Sequence, residues 1–154
     1  MILEGTINVR APRVKVWDFL LDVDQLTSCI PALEEVTKID DKSFTGVIVV
    51  TVGPISGRFN FNSTILNTIP LEQLTTLVSG DDSVTGSKVT VNVFGFLTEN
   101  IDHTQLRYHA TVEIKGRIAI LGDMVIRATS SLILNEFTSR LRQQLEANEK
   151  PGIA

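Results

Sequence analysis

The sequence predicts an α+β fold, a curved antiparallel sheet of seven strands around one long C-terminal helix, with two short helices after the first strand. Three observations carry that expectation. Apolar and polar residues alternate through several long runs before Gly116, which is the pattern of strands wetted on one face. After Gly116 apolar residues recur at spacings of three and four, the period of an amphipathic helix. Between the first alternating run and the second, Ala11-Pro12 and Pro31 bracket a stretch with helical spacing.

Taken in chain order, Ile2 to Arg10 alternates and is rich in Ile, Thr and Val, as a strand requires. Pro12 suits the first turn of a helix, and Val14, Trp17, Phe19, Leu20 and Leu21 follow at roughly helical spacing. A second short helix or turn is expected from Asp24 to Cys29, ending before Pro31 because the residue preceding proline avoids the helical region. In Phe44 to Val52 the even positions hold Phe, Gly, Ile, Val and Val. In Phe59 to Ile69 the odd positions are Phe59, Phe61, Ser63, Ile65 and Ile69, interrupted by Asn67. Leu106, Tyr108, Ala110, Val112 and Ile114 alternate with Arg107, His109, Thr111, Glu113 and Lys115. Turns are expected at Asp40-Asp41, Gly53-Pro54 through Gly57, Gly80-Asp81-Asp82 and Asn100-Ile101-Asp102. The final helix is predicted from Asp123 to Asn148, carried by Val125, Ala128 and Leu132 together with Ile126, Ile133, Phe137, Leu141 and Leu145. No linker or repeat divides the chain, so residues 1–150 are read as one domain and 151–154 as a short tail.

Dimensions then supply a functional expectation. A helix of this length is about 39 Å long but only about 10–12 Å across, whereas seven strands make a sheet roughly 30 Å wide. One helix cannot cover that face unless the sheet curls around it, helped by glycines such as Gly46 and Gly86 where a strand bends. A curled sheet gripping one helix leaves space near the short helices, so an apolar cavity is expected.

Composition narrows what such a cavity does. With 43% apolar residues in 154, a substantial core is expected. The net charge of −4 argues against a nucleic-acid partner, which needs clustered Lys and Arg. One cysteine and two histidines leave no disulfide framework and no metal cage. No signal peptide, spanning segment or lipidation box is present in the sequence, so a cytoplasmic location is expected.

Candidate chemistry is sparse. Cys29 reads as an apolar filler rather than a nucleophile, which would need a depressed pKa and a nearby base. His109 falls on the wet parity of its strand and His103 in a turn, so both read as surface histidines. Glu34-Glu35, Asp40-Asp41 and Asp81-Asp82 are adjacent pairs that read as solvated rather than catalytic. No phosphate loop or nucleophile elbow occurs. Arg140, Arg142 and Lys150 alternate with Glu136, Glu146 and Glu149, a solvated helix face. The polar groups that alternation places inward are Tyr108, Ser63 and Asn67, each able to orient a ligand or to be satisfied within the core.

Several stretches together carry a resemblance. They are Leu3-Glu4-Gly5-Thr6 with Val9, Ala11-Pro12-Arg13, Val16-Trp17, Leu21-Asp22 and Cys29-Ile30-Pro31. They continue with Phe44-x-Gly46, Val52-Gly53-Pro54-Ile55-Ser56-Gly57-x-Phe59, Leu106-x-Tyr108 and Gly116-Arg117-Ile118-Ala119-x-Leu121-Gly122. In this order, over nearly the whole chain, they resemble the family of the carbon monoxide dehydrogenase G subunit, in the START/polyketide-cyclase-like superfamily. The resemblance implies the helix-grip fold and a non-enzymatic accessory protein of a molybdenum-containing dehydrogenase. It further implies recruitment of that enzyme to the membrane, or a link to a lipid-soluble carrier such as a quinone held in the cavity. It supplies no catalytic residue, cofactor or metal ligand. Ala32 stands where a glycine is common, and His103-Thr104 replaces a Gly-Thr turn. Many relatives carry a C-terminal amphipathic extension, whereas this sequence runs to Ala154, so contact with the membrane surface is expected to be transient and through the cavity mouth.

The expected ligand, a quinone or isoprenoid lipid, is assigned to a lining of Trp17, Cys29, Ile48, Val50, Phe59 and Phe61 from the first half of the chain. Tyr108, Ala110, Ile118, Met124 and Ala128 are the expected lining from the second half. The competing expectations are an enzyme of the cyclase, aromatase or hydrolase type acting on a hydrophobic substrate, and a purely structural partner of the dehydrogenase in which the cavity is incidental. Inward titratable groups discriminate the enzyme from the carrier, since acid–base work requires one within reach of the substrate.

Overall fold

The computed structural model describes residues 1–147, in which all seven strands join one antiparallel sheet. They are β1 (Ile2–Val9), β2 (Leu33–Lys38), β3 (Ser43–Val52), β4 (Ile55–Ile69), β5 (Gln73–Asp82), β6 (Ser87–Glu99) and β7 (Thr104–Lys115). Their order across the sheet is β1-β7-β6-β5-β4-β3-β2, so consecutive strands from β2 to β7 are hairpins and β1 lies beside the last of them. The short helices α1 (Arg13–Leu21) and α2 (Val23–Thr27) carry the chain from one edge strand to the other. A 3-10 turn at Arg117–Leu121 leads into α3 (Asp123–Glu146), which lies in the concave face. The predicted last residue of this helix, Asn148, and the 151–154 tail lie outside the described residues.

Two turns are placed differently from the prediction, because Gly57 and Gly80 serve the inner face of strands. Gly57 belongs to β4, opposite Val50, and only Gly53-Pro54 makes the turn. Gly80 belongs to β5, opposite Phe61, so the β5–β6 turn falls at residues 83–86. Gly86 is in that turn, with φ of +67°, rather than at a strand bend. Asp82 is buried instead of solvated, because its carboxylate accepts the Val84 N–H at 2.8 Å and the Arg58 N–H at 3.3 Å. Those backbone bonds, Val84 foremost, hold its pKa below the ordinary carboxylate value.

The broken alternation in β4 is a bulge. Ile65 pairs with Thr76, but Asn67 pairs with Thr75, so Leu66 is the extra residue. One inserted residue exchanges the two faces beyond it. Ile69 and Asn67 therefore stand opposite Gln73 and Thr75 on the exposed side, not inside as simple parity predicts.

The edge strand β1 is held by side chains of α3. Arg127 donates to the Ile2 carbonyl at 2.9 Å and Arg142 to the Asn8 carbonyl at 3.0 Å, while the Glu146 carboxylate accepts the Arg10 N–H at 2.7 Å. The rise over 127–142 in a helix, about 22 Å, matches the roughly 20 Å of 2–8 in a strand. Helix and strand therefore run side by side, and the edge is shielded from pairing with another chain. Apolar side chains then gather at two ends. Val9, Val16, Phe19, Leu97, Leu106 and Leu141 form one cluster with α1, and Val52, Phe59, Ile118 and Ile126 form another beneath the 3-10 turn.

Two backbone positions test this packing with opposite signs. Gly116 has φ of +89°, and a Cβ there would meet Gly86 backbone and lie 2.7 Å from the Ser87 Cα. Gly116→Ala is expected to cost about 2–4 kcal/mol. Ala32 occupies φ of +58°, a region that disfavours any residue with a Cβ. Ala32→Gly is therefore expected to stabilise by about 0.5–1 kcal/mol. Urea unfolding midpoints read both, and shifts of the same sign would contradict the account.

Candidate functional site: an apolar cavity between sheet and helix

Between the two solid clusters the sheet and α3 enclose a cavity of about 820 Å³. Its walls are the inward residues of six strands, among them Leu3 and Ile7 of β1, with Leu20, Leu21, Val23 and Leu26 of the short helices and one face of α3. β3 contributes Phe44, Ile48, Val50 and Val52, and β4 contributes Phe59, Phe61, Ser63 and Ile65. β5 adds Leu74, Thr76 and Val78, β6 adds Val89, Val91 and Val93, and β7 adds Leu106, Tyr108, Ala110, Val112 and Ile114. From α3 come Ile126, Ser130, Ile133, Leu134 and Phe137. Charged groups stand only at the rim: Asp41 and Lys42 beside Val23, Leu26 and Ile30, and Glu4 and Arg127 where β1 meets the helix.

Of the residues assigned to the lining from sequence, Ile48, Val50, Phe59, Phe61, Tyr108, Ala110 and Ile118 stand on the cavity wall. Four stand elsewhere. Trp17 and Cys29 are buried, but in the solid cluster with α1 and the C-terminal part of α3 rather than on the wall. Met124 is 85% exposed and Ala128 is exposed as well. At about 100° per residue both lie roughly opposite the inward Ile126 on the helix. The helix buries one stripe, Ile126, Ile133, Phe137, Leu141 and Leu145, and the Ala128 and Leu132 positions face out.

Sequence reasoning did not reach the β5 and β6 walls, nor the lining from β1, the short helices and α3. For β6 the signal was present: Val89, Val91 and Val93 alternate with Lys88, Thr90 and Asn92. On β5 the wet positions include Leu77, so Leu74, Thr76 and Val78 do not stand out.

Aromatic rings are lodged over glycines on neighbouring strands. A Cβ at Gly5 would lie 2.6 Å from the Tyr108 hydroxyl oxygen, and one at Gly46 would lie 3.1 Å from the Phe61 ring. Phe61 meets Phe44 edge to face, ring centres 5.8 Å apart at 87°. Tyr108 and Phe61 thus occupy the space that side chains at Gly5 and Gly46 would take.

Among the described residues no His, Cys, Asp or Glu cluster could hold a metal ion. The Cys29 thiol is fully buried and its pKa is raised by that burial, against smaller opposing effects of the Ser28 hydroxyl and Arg140. It is a poor nucleophile at neutral pH. His103 Nδ1 lies 2.7 Å from the Asp102 carboxylate in an exposed turn, and His109 lies 3.8 Å from Glu4 on the outer face. Neither histidine stands on the cavity wall. Among the described residues Tyr108 is the only titratable wall residue behind the rim, and burial raises its pKa, so its hydroxyl stays neutral.

The family model for the carbon monoxide dehydrogenase G subunit (CoxG) matches residues 5–146. The chain belongs to the CoxG family. No curated protein sequence matches it significantly. Among solved structures, a conserved protein from Geobacillus kaustophilus is similar at 20% identity, with 96% of each chain covered and a TM-score of 0.87. A START superfamily protein from Mycobacterium smegmatis is similar at 14% identity, covering 95% of this chain and 97% of that one, with a TM-score of 0.69. A protein from Thermus thermophilus reaches a TM-score of 0.70 at 12% identity, covering 97% and 100%. At these identities the structures speak for the fold alone, and they show that this CoxG chain has the START-like helix-grip fold. No helix among the described residues is long and apolar enough to cross a membrane.

Tyr108 is the single tyrosine, so alkaline titration of the near-ultraviolet absorbance reads it without interference from another phenol. Its midpoint is expected above 10.0, the value of an unperturbed tyrosine. A midpoint at or below that value would place the ring in water.

Proposed function

We propose that this protein is a non-catalytic accessory module that holds a hydrophobic small molecule, a quinone or isoprenoid lipid, in the cavity between sheet and α3. The observation that carries this reading is a cavity of about 820 Å³ with an aliphatic and aromatic wall and charges only at its rim. That volume falls within the roughly 300–1,000 Å³ of ligand pockets, which are mostly apolar with a few placed polar groups. General acid–base work would need a group that changes protonation near neutral pH. Behind the rim the wall offers the Tyr108 hydroxyl, which burial keeps protonated, and this favours a container over a catalyst.

Family membership supports the rest of the reading. A CoxG protein serves a carbon monoxide dehydrogenase-like, molybdenum-containing enzyme, and a carrier of a lipid-soluble molecule would link that enzyme to the membrane electron-transport chain. The turn entering α3 supports peripheral membrane contact. It presents Ile120, 82% exposed, and the first turn of α3 presents Met124, 85% exposed, with Arg117 and Asp123 also exposed in this stretch. An exposed apolar tip suits the boundary of a bilayer.

Native mass spectrometry with solvent extraction, on protein purified from its own host, tests the reading. An adduct in the quinone or lipid mass range is expected, and its reproducible absence counts against the carrier role. Ala110 is on the wall and Ala128 on the outer face of α3, so they form an internal control. Ala110→Phe is expected to abolish the adduct while the protein stays folded, and Ala128→Phe to leave it unchanged. Equal retention in both variants would move the ligand out of this cavity.

A further inference from the structure

Ser63 is only 8% exposed and stands on the cavity wall, yet its hydroxyl has no hydrogen-bond partner among the described residues. Every side-chain oxygen or nitrogen that is sealed from solvent in those residues does have one. The Ser63 hydroxyl therefore faces cavity space rather than packed protein. Thr76, on the next strand, also lines the cavity with its hydroxyl unpaired among the described residues. Ser63 is opposite Val78 and Thr76 is opposite Ile65, so the two hydroxyl-bearing residues are diagonal neighbours on the inner face. Diagonal neighbours are about 7–8 Å apart at the backbone, a gap that one ligand oxygen bridges between two inward hydroxyls.

The surroundings specify more than a polar spot. Phe44 is directly opposite Ser63 on β3, and Phe61 precedes it by two on the same face of β4. Ile65, on the other side, donates its N–H to the Lys42 carbonyl at the rim, at 2.8 Å. The hydroxyls thus lie just beneath the Lys42 rim, with two aromatic rings beside them and no ionised group on the wall at their depth.

We infer that Ser63 and Thr76 form the specificity-determining anchor of the cavity, binding one neutral ring oxygen, a ketone or hydroxyl, of an otherwise apolar ligand. Both hydroxyls donate and accept, so the pair serves a ketone oxygen, by two donated bonds, and equally the hydroxyl of the reduced form. An anionic head would need a cation at its own depth, and Lys42, the charged lining residue above the pair, is exposed at the rim. The oxygenated ring lies against Phe44 and Phe61 beneath the Lys42 rim, and the apolar remainder reaches along Ile48 and Val50. This inference rests on the reading that the cavity holds a hydrophobic ligand, and it adds the chemical feature by which the ligand is chosen.

Equilibrium dialysis with 2,3-dimethyl-1,4-naphthoquinone and 2,3-dimethylnaphthalene tests it, since the two share a ring and differ in oxygen. The methyl groups also block addition of a thiol to the quinone ring. The wild-type chain is expected to bind the quinone more tightly. Ser63→Ala and Thr76→Val are each expected to weaken quinone binding about three- to tenfold and to leave the hydrocarbon unchanged. The unliganded Ser63→Ala protein is expected to melt no lower than wild type, because the hydroxyl it removes has no partner in the fold. Equal loss of both probes, or loss of neither, overturns the anchor while leaving the container standing. Binding of neither probe by wild type overturns the container, and the anchor with it.

Discussion

A mismatch of widths governs this molecule. Seven strands at about 4.8 Å spacing present an apolar face some three helix diameters across, and one helix is placed against it. The helix is fastened at the β1 edge by Arg127, Arg142 and Glu146, and it meets β3 where Val125 approaches Gly53. Held at the β1 edge and against the end of β3, the helix lies in a curled sheet, and its side chains reach only part of the concave face. Solid packing is then confined to the two ends, around Leu97, Leu106 and Leu141 and around Phe59, Ile118 and Ile126. The open middle follows from this arrangement.

Small residues enlarge that middle. Gly5, Gly46, Gly80 and Gly95 sit at inward positions of four strands, opposite Tyr108 or Phe61. A ring that would otherwise project into the cavity lies down over a neighbouring glycine. The arrangement costs strand stability, since glycine is a poor strand residue. It is offset by cross-strand aromatic packing, of which the Phe44–Phe61 pair is the clearest case. Backbone glycine thus supplies volume here, and the wall keeps its large apolar surface.

Polar chemistry is distributed to match. The carboxylates that look suggestive by adjacency hold the structure together: Asp82 closes the β5–β6 turn, and Glu34 and Glu35 share Arg58. The histidines serve an exposed turn and the outer face. What remains inside is a few uncharged hydroxyls among Val, Ile, Leu and Phe. Such a wall recognises shape, neutrality and one or two hydrogen bonds, which is the recognition a carrier for an apolar ring requires.

The α+β class, the long C-terminal helix and the inward faces of β3 and β7 are readable in the chain. Each depends on a local period, and period is written into neighbouring residues. The excess of sheet over helix, and hence the cavity, follows from the same reading because it is a matter of lengths and widths. Where the reading departs from the structure, the cause is non-local. The Leu66 bulge exchanges the faces of β4 only because β5 sets the pairing. Met124 and Ala128 face outward because α3 is fixed in rotation by β1, a strand more than a hundred residues earlier. Trp17 and Cys29 are apolar and buried as expected, but whether a buried residue packs in a solid cluster or borders a void depends on what lies opposite, here the C-terminal end of α3. Periodicity told which residues turn inward; only the curled sheet and its helix decided which inward residues meet each other and which meet space.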